Sequence, residues 1–535
     1  MTAQPSAETT GAPRSTRLGL FGQEGTAGFI LRVLVLLIAL VAVSVLLTNV
    51  LPVEGRRYAV SIAGALLIAI MYVWRPAEAL FGLARFMVYS ETTAWYLGGS
   101  VKHIDEFALL MVGPIAAWRA LPQWRAVIWW PRDVAIGVAL LMGVISSLVA
   151  GVPIAVWVPA LMLLAKPIIF FYIVMLTRVT VSEATAGLWV FIGSVFVVWA
   201  LGFIEMVNVN GFQDFLGLNP YLRLRSENIV VKSLFVHPAL FGYFTAFVSL
   251  LLLARYIVTR RLRWLVLSTA MAIGTFLSAR RRAILALIAG AAAAAVASRR
   301  LFDSWRDYRR VWIPTAISGV VLSVVFASLL TGLYDLTLAT YFQQGSAVPS
   351  LAPGETPPPE IPGEGENERA RFALYRGSVQ IAVDHAPLGG GLGRFGSWLS
   401  RDPYSPLYYE YGLSDIRGLK PTGPTAATDT FWPQILGELG VIGLIGYAAF
   451  IVALGWMLWR ENGREGEPDL RILRLAAGMV FAQALVESAA SSMYHSPSRV
   501  YMLMLVIGIV ASIAWRQPRA AETPHAAERT STAET

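Results

Sequence analysis

Cysteine is absent from the 535 residues, and charge is scarce: Asp, Glu, Lys and Arg make up 14% of the chain, against roughly 25% in an ordinary soluble domain. The first absence removes disulfides, thiolate nucleophiles and thiolate metal sites. The second, beside 56% hydrophobic residues, excludes a water-soluble globule, a coiled coil and a disordered chain. The apolar residues suffice for about a dozen segments of roughly 20 residues, the length that crosses a bilayer. Chemistry is narrowed by further absences. There is no Walker A sequence, so ATP is not expected to drive the protein, and no Asp-x-Asp or His-Glu-x-x-His, so neither a metal nor a cofactor is expected. No repeat of 20–50 residues is present, which argues against a solenoid.

What the chain does have is apolar runs separated by short basic loops. The net charge of +9 would suggest nucleic acid on a soluble protein; here it sorts into loops as topogenic charge, and no nucleic-acid partner is expected. Arg255, Arg260, Arg261 and Arg263 form one cluster, Arg299, Arg300, Arg306, Arg309 and Arg310 a second, and Arg516 and Arg519 a third. The positive-inside rule makes all three cytoplasmic and turns residues 333–430 outward. The chain then divides into a polar tail (1–27), an N-terminal transmembrane bundle (28–332) whose first anchor is Phe29 to Val50, the outward loop (333–430), C-terminal transmembrane helices (431–516) and a cytoplasmic tail (517–535). Residues 79–98 leave the count open. If they cross, there are fourteen spans and a cytoplasmic N-terminus, as Arg14 and Arg17 suggest; Arg85 and Glu91 argue for thirteen. The expected fold class is an all-α polytopic integral membrane protein with about 12–14 transmembrane helices. Within the outward loop, 349–362 holds six prolines and reads as extended chain, and 368–383 reads as an amphipathic helix with Phe372, Tyr375, Val379 and Val383 on one face. Gly389 to Gly393 reads as a turn.

The residues that point to chemistry lie at the outer ends of the spans. Arg280, Arg281 and Arg282 sit between two spans whose other ends are cytoplasmic, so they emerge outside, against the positive-inside bias. Guanidinium forks match phosphate oxygens, and a helix starting there adds its positive end, so a diphosphate is the expected guest; snorkelling to lipid headgroups is the plain alternative. Arg225 and Lys232 form a second outward basic group, followed by His237-Pro238, where a histidine beside proline is more often a hydrogen-bonded structural residue than a base. Asp429 precedes the span at 431–459, where it would serve either as a base or as an N-cap. Arg371 and Arg376 decorate the loop helix, which His385 ends; Tyr408, Trp398 and Trp432 suit sugar stacking or the membrane interface, and His495 lies in an outer turn.

Four stretches together resemble the bacterial O-antigen ligase and Wzy-type polymerase superfamily: Lys232 to Pro238, Leu277 to Ala283, Arg371 through Pro387 to Phe395, and Asp429 to Gly443. The resemblance covers about residues 180–460. It implies a GT-C-type fold in the bacterial inner membrane, with a periplasm-facing site for a polyprenyl-diphosphate-linked oligosaccharide and an acceptor glycan. It also implies membrane lipids, a chain-length regulator and a flippase as partners. Arg281 resembles the family's diphosphate-binding arginine, and Lys232 or Arg225 stands near its other basic position. Asp429-Thr430 occupies the place of the His-Asn pair usual in ligases, which tilts the expectation to an inverting, metal-independent polysaccharide polymerase. Transfer of finished glycan to a lipid-A core is the alternative. A transporter or flippase is the rival of another class, disfavoured because the chosen charges lie at span ends and not at the midplane.

Overall fold

The computed structural model describes residues 53–121, 131–208, 211–212, 215–217, 231–334 and 364–516. The tail 1–27, the anchor 29–50, Arg225, the proline-rich stretch 349–362 and the tail 517–535 lie outside the described residues. The described elements are α1 (Val53–Trp74), α2 (Pro76–Val88), α3 (Ser90–Leu97), α4 (Ile104–Ala120), α5 (Pro131–Val149), α6 (Ile154–Thr177), α7 (Val181–Val207), α8 (Pro238–Thr259), α9 (Leu262–Leu277), α10 (Arg281–Ser298), α11 (Trp305–Tyr334), α12 (Glu364–Asp384), α13 (Pro406–Glu410), α14 (Trp432–Glu461), α15 (Pro468–Ala489) and α16 (Pro497–Arg516). Among the described residues there is no β-strand, and eight helices are long and apolar enough to span a membrane. The protein is an all-α, multi-pass membrane protein.

Lipid is as apolar as leucine, so membrane helices associate through close packing of small residues and hydroxyl hydrogen bonds. That is what joins these helices. On α14, a Cβ at Gly446 would lie 2.7 Å from the Ala135 carbonyl of α5, and on α10 one at Gly290 would lie 3.0 Å from the Met479 carbonyl of α15. Between α8 and α9, the Ser249 hydroxyl donates to the Ser268 carbonyl at 2.9 Å, and the Thr245 and Thr275 hydroxyls pair at 3.1 Å.

The uncertain stretch 79–98 lies along α16. Pro76 lies beside Thr177, Arg178 and Trp515, near the last turn of α16, whereas Glu91 accepts from the Ser498 hydroxyl at 3.0 Å in the first turn of the same helix. Arg85, the charge that argued against crossing, is buried inside the bundle with its Nε on the Phe81 carbonyl at 3.3 Å.

The loop is a second folded unit. Leu374, Ile381, Phe395, Leu407, Tyr408 and Leu419 form part of its own apolar core, and α12 extends the expected 368–383 helix by a few residues. Its buried face differs from the expected one. Ala370, Leu374 and Ile381 point inward, while Phe372, Val379 and Val383 are exposed. The expected stripe has helical spacing, but a parallel stripe of smaller residues is the one that packs.

The glycine turn fastens the loop to the bundle. α14 is kinked at Gly440, whose φ of 73° is left-handed and costs glycine little. The kink leaves room for backbone to meet backbone: the Gly390 N–H donates to the Gly437 carbonyl at 2.7 Å and the Gly391 N–H to the Glu438 carbonyl at 3.2 Å. A Cβ at Gly389 would lie 2.6 Å from the Glu438 backbone, so side chains are excluded on both surfaces. The Ser146 hydroxyl bonds to the Gly389 and Glu438 carbonyls, and the buried Glu438 carboxylate accepts from the Phe395 N–H and the Gln434 amide, each at 3.0 Å.

Candidate functional site

At the loop end of the bundle, α9 stops at Leu277 because Ala279 turns left-handed (φ 50°), and α10 starts afresh at Arg281. Arg280, Arg281 and Arg282 therefore occupy the N-cap and first two positions of a helix. Cations there face the positive end of the helix dipole, an arrangement that is unfavourable unless anions offset it. Part of the offset is visible. Arg282 Nε lies 3.3 Å from the Glu487 carboxylate near the end of α15, and its Nη1 donates to the Ala490 carbonyl at 2.8 Å. Glu487 is only 2% exposed, so the pair is a buried one whose separate halves would be costly.

Three more charged groups lie within Coulombic reach of Arg282: Arg499 from the first turn of α16, Asp429 and Arg371. Arg371 reaches down from α12 and donates to Asp429 at 2.8 Å, with both groups partly open. Asp429 is thus an ion-pair partner and does not cap α14, whose N-cap position is Phe431 without a side-chain bond. The Arg499 Nε and Nη1 are buried with no hydrogen-bond partner. The loop helix is held over this cluster by the Tyr375 hydroxyl, which donates to the Ala489 carbonyl at 2.8 Å, and α14 is tied to α15 by Trp432 Nε1 on the Ser488 hydroxyl at 3.0 Å.

The other expected site residues have partners of their own or lie open to the surroundings. Arg280 and Arg282 are half-buried and Arg281 is exposed. His237 caps α8, its Nδ1 accepting the Ala239 N–H at 3.1 Å, which is the structural role a histidine before proline commonly takes. Lys232 is buried; its backbone N–H and that of Ser233 donate to the Glu205 carboxylate at 3.0 and 2.6 Å. His495 packs edge-on against Phe431, and burial pushes its imidazole down to about 3, so it is neutral at ordinary pH. Tyr408 lies in the loop core, accepting the Gly396 N–H at 3.0 Å and pairing with the Ser400 hydroxyl; burial pushes its phenol up to about 12. Arg376 is exposed on α12 and His385 is half-buried at its end, whereas Trp398 and Tyr409 keep exposed rings. Sequence reasoning passed over Glu487 and Arg499. Both read as isolated charges at helix ends, and their partners lie some 200 residues away.

Residues 266–448 match the family model Wzy_C, described as O-antigen ligase. The match supports the resemblance of this segment to the O-antigen ligase and Wzy-type superfamily. The matched segment runs from within α9 to the middle of α14, and so contains the arginine turn, Arg371, the glycine turn and Asp429. Glu487 and Arg499 lie beyond the match and complete the cluster from the last two helices. No curated protein matches the chain.

Proposed function

We propose that the protein is a polysaccharide polymerase of the bacterial inner membrane. In this reading it transfers glycan from a polyprenyl-diphosphate-linked repeat to the growing end of an acceptor glycan at the periplasmic face, with inversion and without a metal. The observation that carries the reading is the set of arginines packed at the N-terminus of α10, over-supplied with positive charge relative to Glu487 and Asp429. A site so charged suits an anion of two phosphates.

In this mechanism an acceptor hydroxyl oxygen attacks the anomeric carbon of the donor. The new glycosidic bond forms as the bond from that carbon to the diphosphate oxygen breaks, and polyprenyl diphosphate leaves with the electron pair. Such a leaving group needs charge stabilisation more than protonation, which Arg281, Arg282, Arg280 and Arg499 supply as preorganised donors. Lys232, itself buried, adds to the positive field, and Arg225 belongs to the same basic loop. Asp429, positioned by Arg371, orients the hydroxyl and takes its proton; His237 is the fallback base. Trp398 and Tyr409 offer exposed rings for the sugar chain, with Arg376 and His385 on the same loop unit.

Purified protein incubated with lipid-linked repeat units alone tests the reading: a ladder of polymer supports it. The family description favours a second reading, ligation of finished glycan to a separate acceptor, which predicts no product until that acceptor is added. Movement of the intact lipid-linked repeat between leaflets, with no new glycosidic bond, would contradict both.

A further inference from the structure

The end of the bundle away from the loop holds a narrow, partly open cleft that the transfer reaction does not use. It lies where α7 begins, α8 ends and α15 begins, and is walled by apolar side chains that include Leu188, Ile192, Leu252 and Ile472. Ile192 stands eleven residues into α7, so the apolar wall penetrates roughly 16 Å from that end of the bundle. Two opposite charges stand in this lining: Arg255 Nη1 lies 3.4 Å from the Asp469 carboxylate, and Asp469 is half exposed. The Arg255 guanidinium is also held 5.0 Å from the ring centres of both Trp189 and Trp264, and its Nε is buried without a hydrogen-bond partner. Indole rings mark the depth of the lipid headgroups, and Trp189 is part of the lining itself.

An apolar slot leading from a fixed cation and anion at headgroup depth has a definite complement. A purely anionic headgroup would meet Asp469, and a purely cationic one would meet Arg255. We infer that the cleft binds an acyl chain of a phospholipid with a zwitterionic headgroup, its phosphodiester on Arg255 and its primary ammonium on Asp469. The inference goes beyond the transfer reaction and requires only that the chain spans a membrane. It also gives the lipid a structural place, because it would wedge between α7, α8 and α15, and α15 carries Glu487 near its other end.

Native mass spectrometry of the full chain, extracted into detergent and equilibrated with equal amounts of phosphatidylethanolamine and phosphatidylglycerol, tests this. The expected result is one retained phosphatidylethanolamine, favoured over phosphatidylglycerol by about tenfold. Arg255→Ala should lower its retention by a similar factor, and Asp469→Asn should keep a lipid but lose the preference. Ile472→Trp, which narrows the slot and leaves both charges in place, should displace the lipid from a folded protein. Equal retention of the two lipids by the wild type, no retained lipid, or retention unchanged by all three substitutions would each overturn the inference.

Discussion

Away from the loop, Arg255, Arg263, Arg299 and Arg300 each lie over a tryptophan ring, at 4.1 to 5.2 Å from its centre, and Arg260 lies over Phe302. Carboxylates supplement the rings there, Asp469 on Arg255 and Asp307 on Arg260, whereas at the loop end the carboxylates of Glu487 and Asp429 are the partners of Arg282 and Arg371. The same residue type thus meets two kinds of partner. Stacked arginines at one end do what membrane insertion requires, holding charge at headgroup depth with the indoles as anchors. Arginines at the other end violate that economy: they crowd a helix N-terminus, take up two carboxylates, and still leave Arg499 with buried N–H groups unpaired. Basic residues in a membrane protein are therefore poor indicators of function until their partners are known.

Five substitutions and a pH titration break or sharpen this contrast. Arg282→Ala should lower transfer by about a hundredfold to a thousandfold, as loss of a preorganised donor does, with lipid-linked repeat accumulating. Arg300→Ala, at the stacked end, should leave turnover within about twofold when assayed on correctly inserted protein. Asp429→Asn should follow at about a hundredfold, measured as turnover with saturating donor, and Arg371→Ala should act in the same direction through the position of Asp429. Gly440→Ala forces a left-handed residue with a Cβ against the Leu388 and Gly389 backbone, and should cost about 1–3 kcal/mol, read as a lowered Tm and earlier proteolysis of the loop.

An effect of similar size to the last is a pH slope. His495 is held neutral by burial, with a folded pKa of about 3 against roughly 6.5 when unfolded, so the unfolded state binds more protons between those values. The stability due to this neutral histidine is intact above pH 6.5 and is lost as pH falls below it, by about 1.4 kcal/mol per unit well below pH 6.5. Tm measured between pH 7.5 and 5 should fall in the wild type, and that part of the fall should vanish in His495→Phe.

Much of the fold was legible in the chain because apolar length and loop charge report directly on the bilayer. The long apolar helices and the loop helix at 364–384 follow from that. Legibility ended where burial depends on a partner. Arg85 reads as a barrier to crossing, yet the bundle encloses it. Phe372, Val379 and Val383 read as a packing face, but Leu374 and Ile381 pack instead, since hydrophobicity alone does not say which stripe meets a neighbour. The kink at Gly440 is invisible in a run that is apolar throughout, although Gly389 to Gly393 hinted at a close approach by something. The site divided similarly. The arginine turn stood out through its wrong sidedness, whereas Glu487 and Arg499 acquire meaning only when α15 and α16 bring them beside it.

The most direct test of the account is a structure of the protein with a polyprenyl diphosphate bound. The account predicts phosphate oxygens at roughly 2.7–2.9 Å from guanidinium nitrogens of the 280–282 turn, with Arg499 on the same anion. A diphosphate seated at the other end of the bundle, among the tryptophan-stacked arginines, would contradict it.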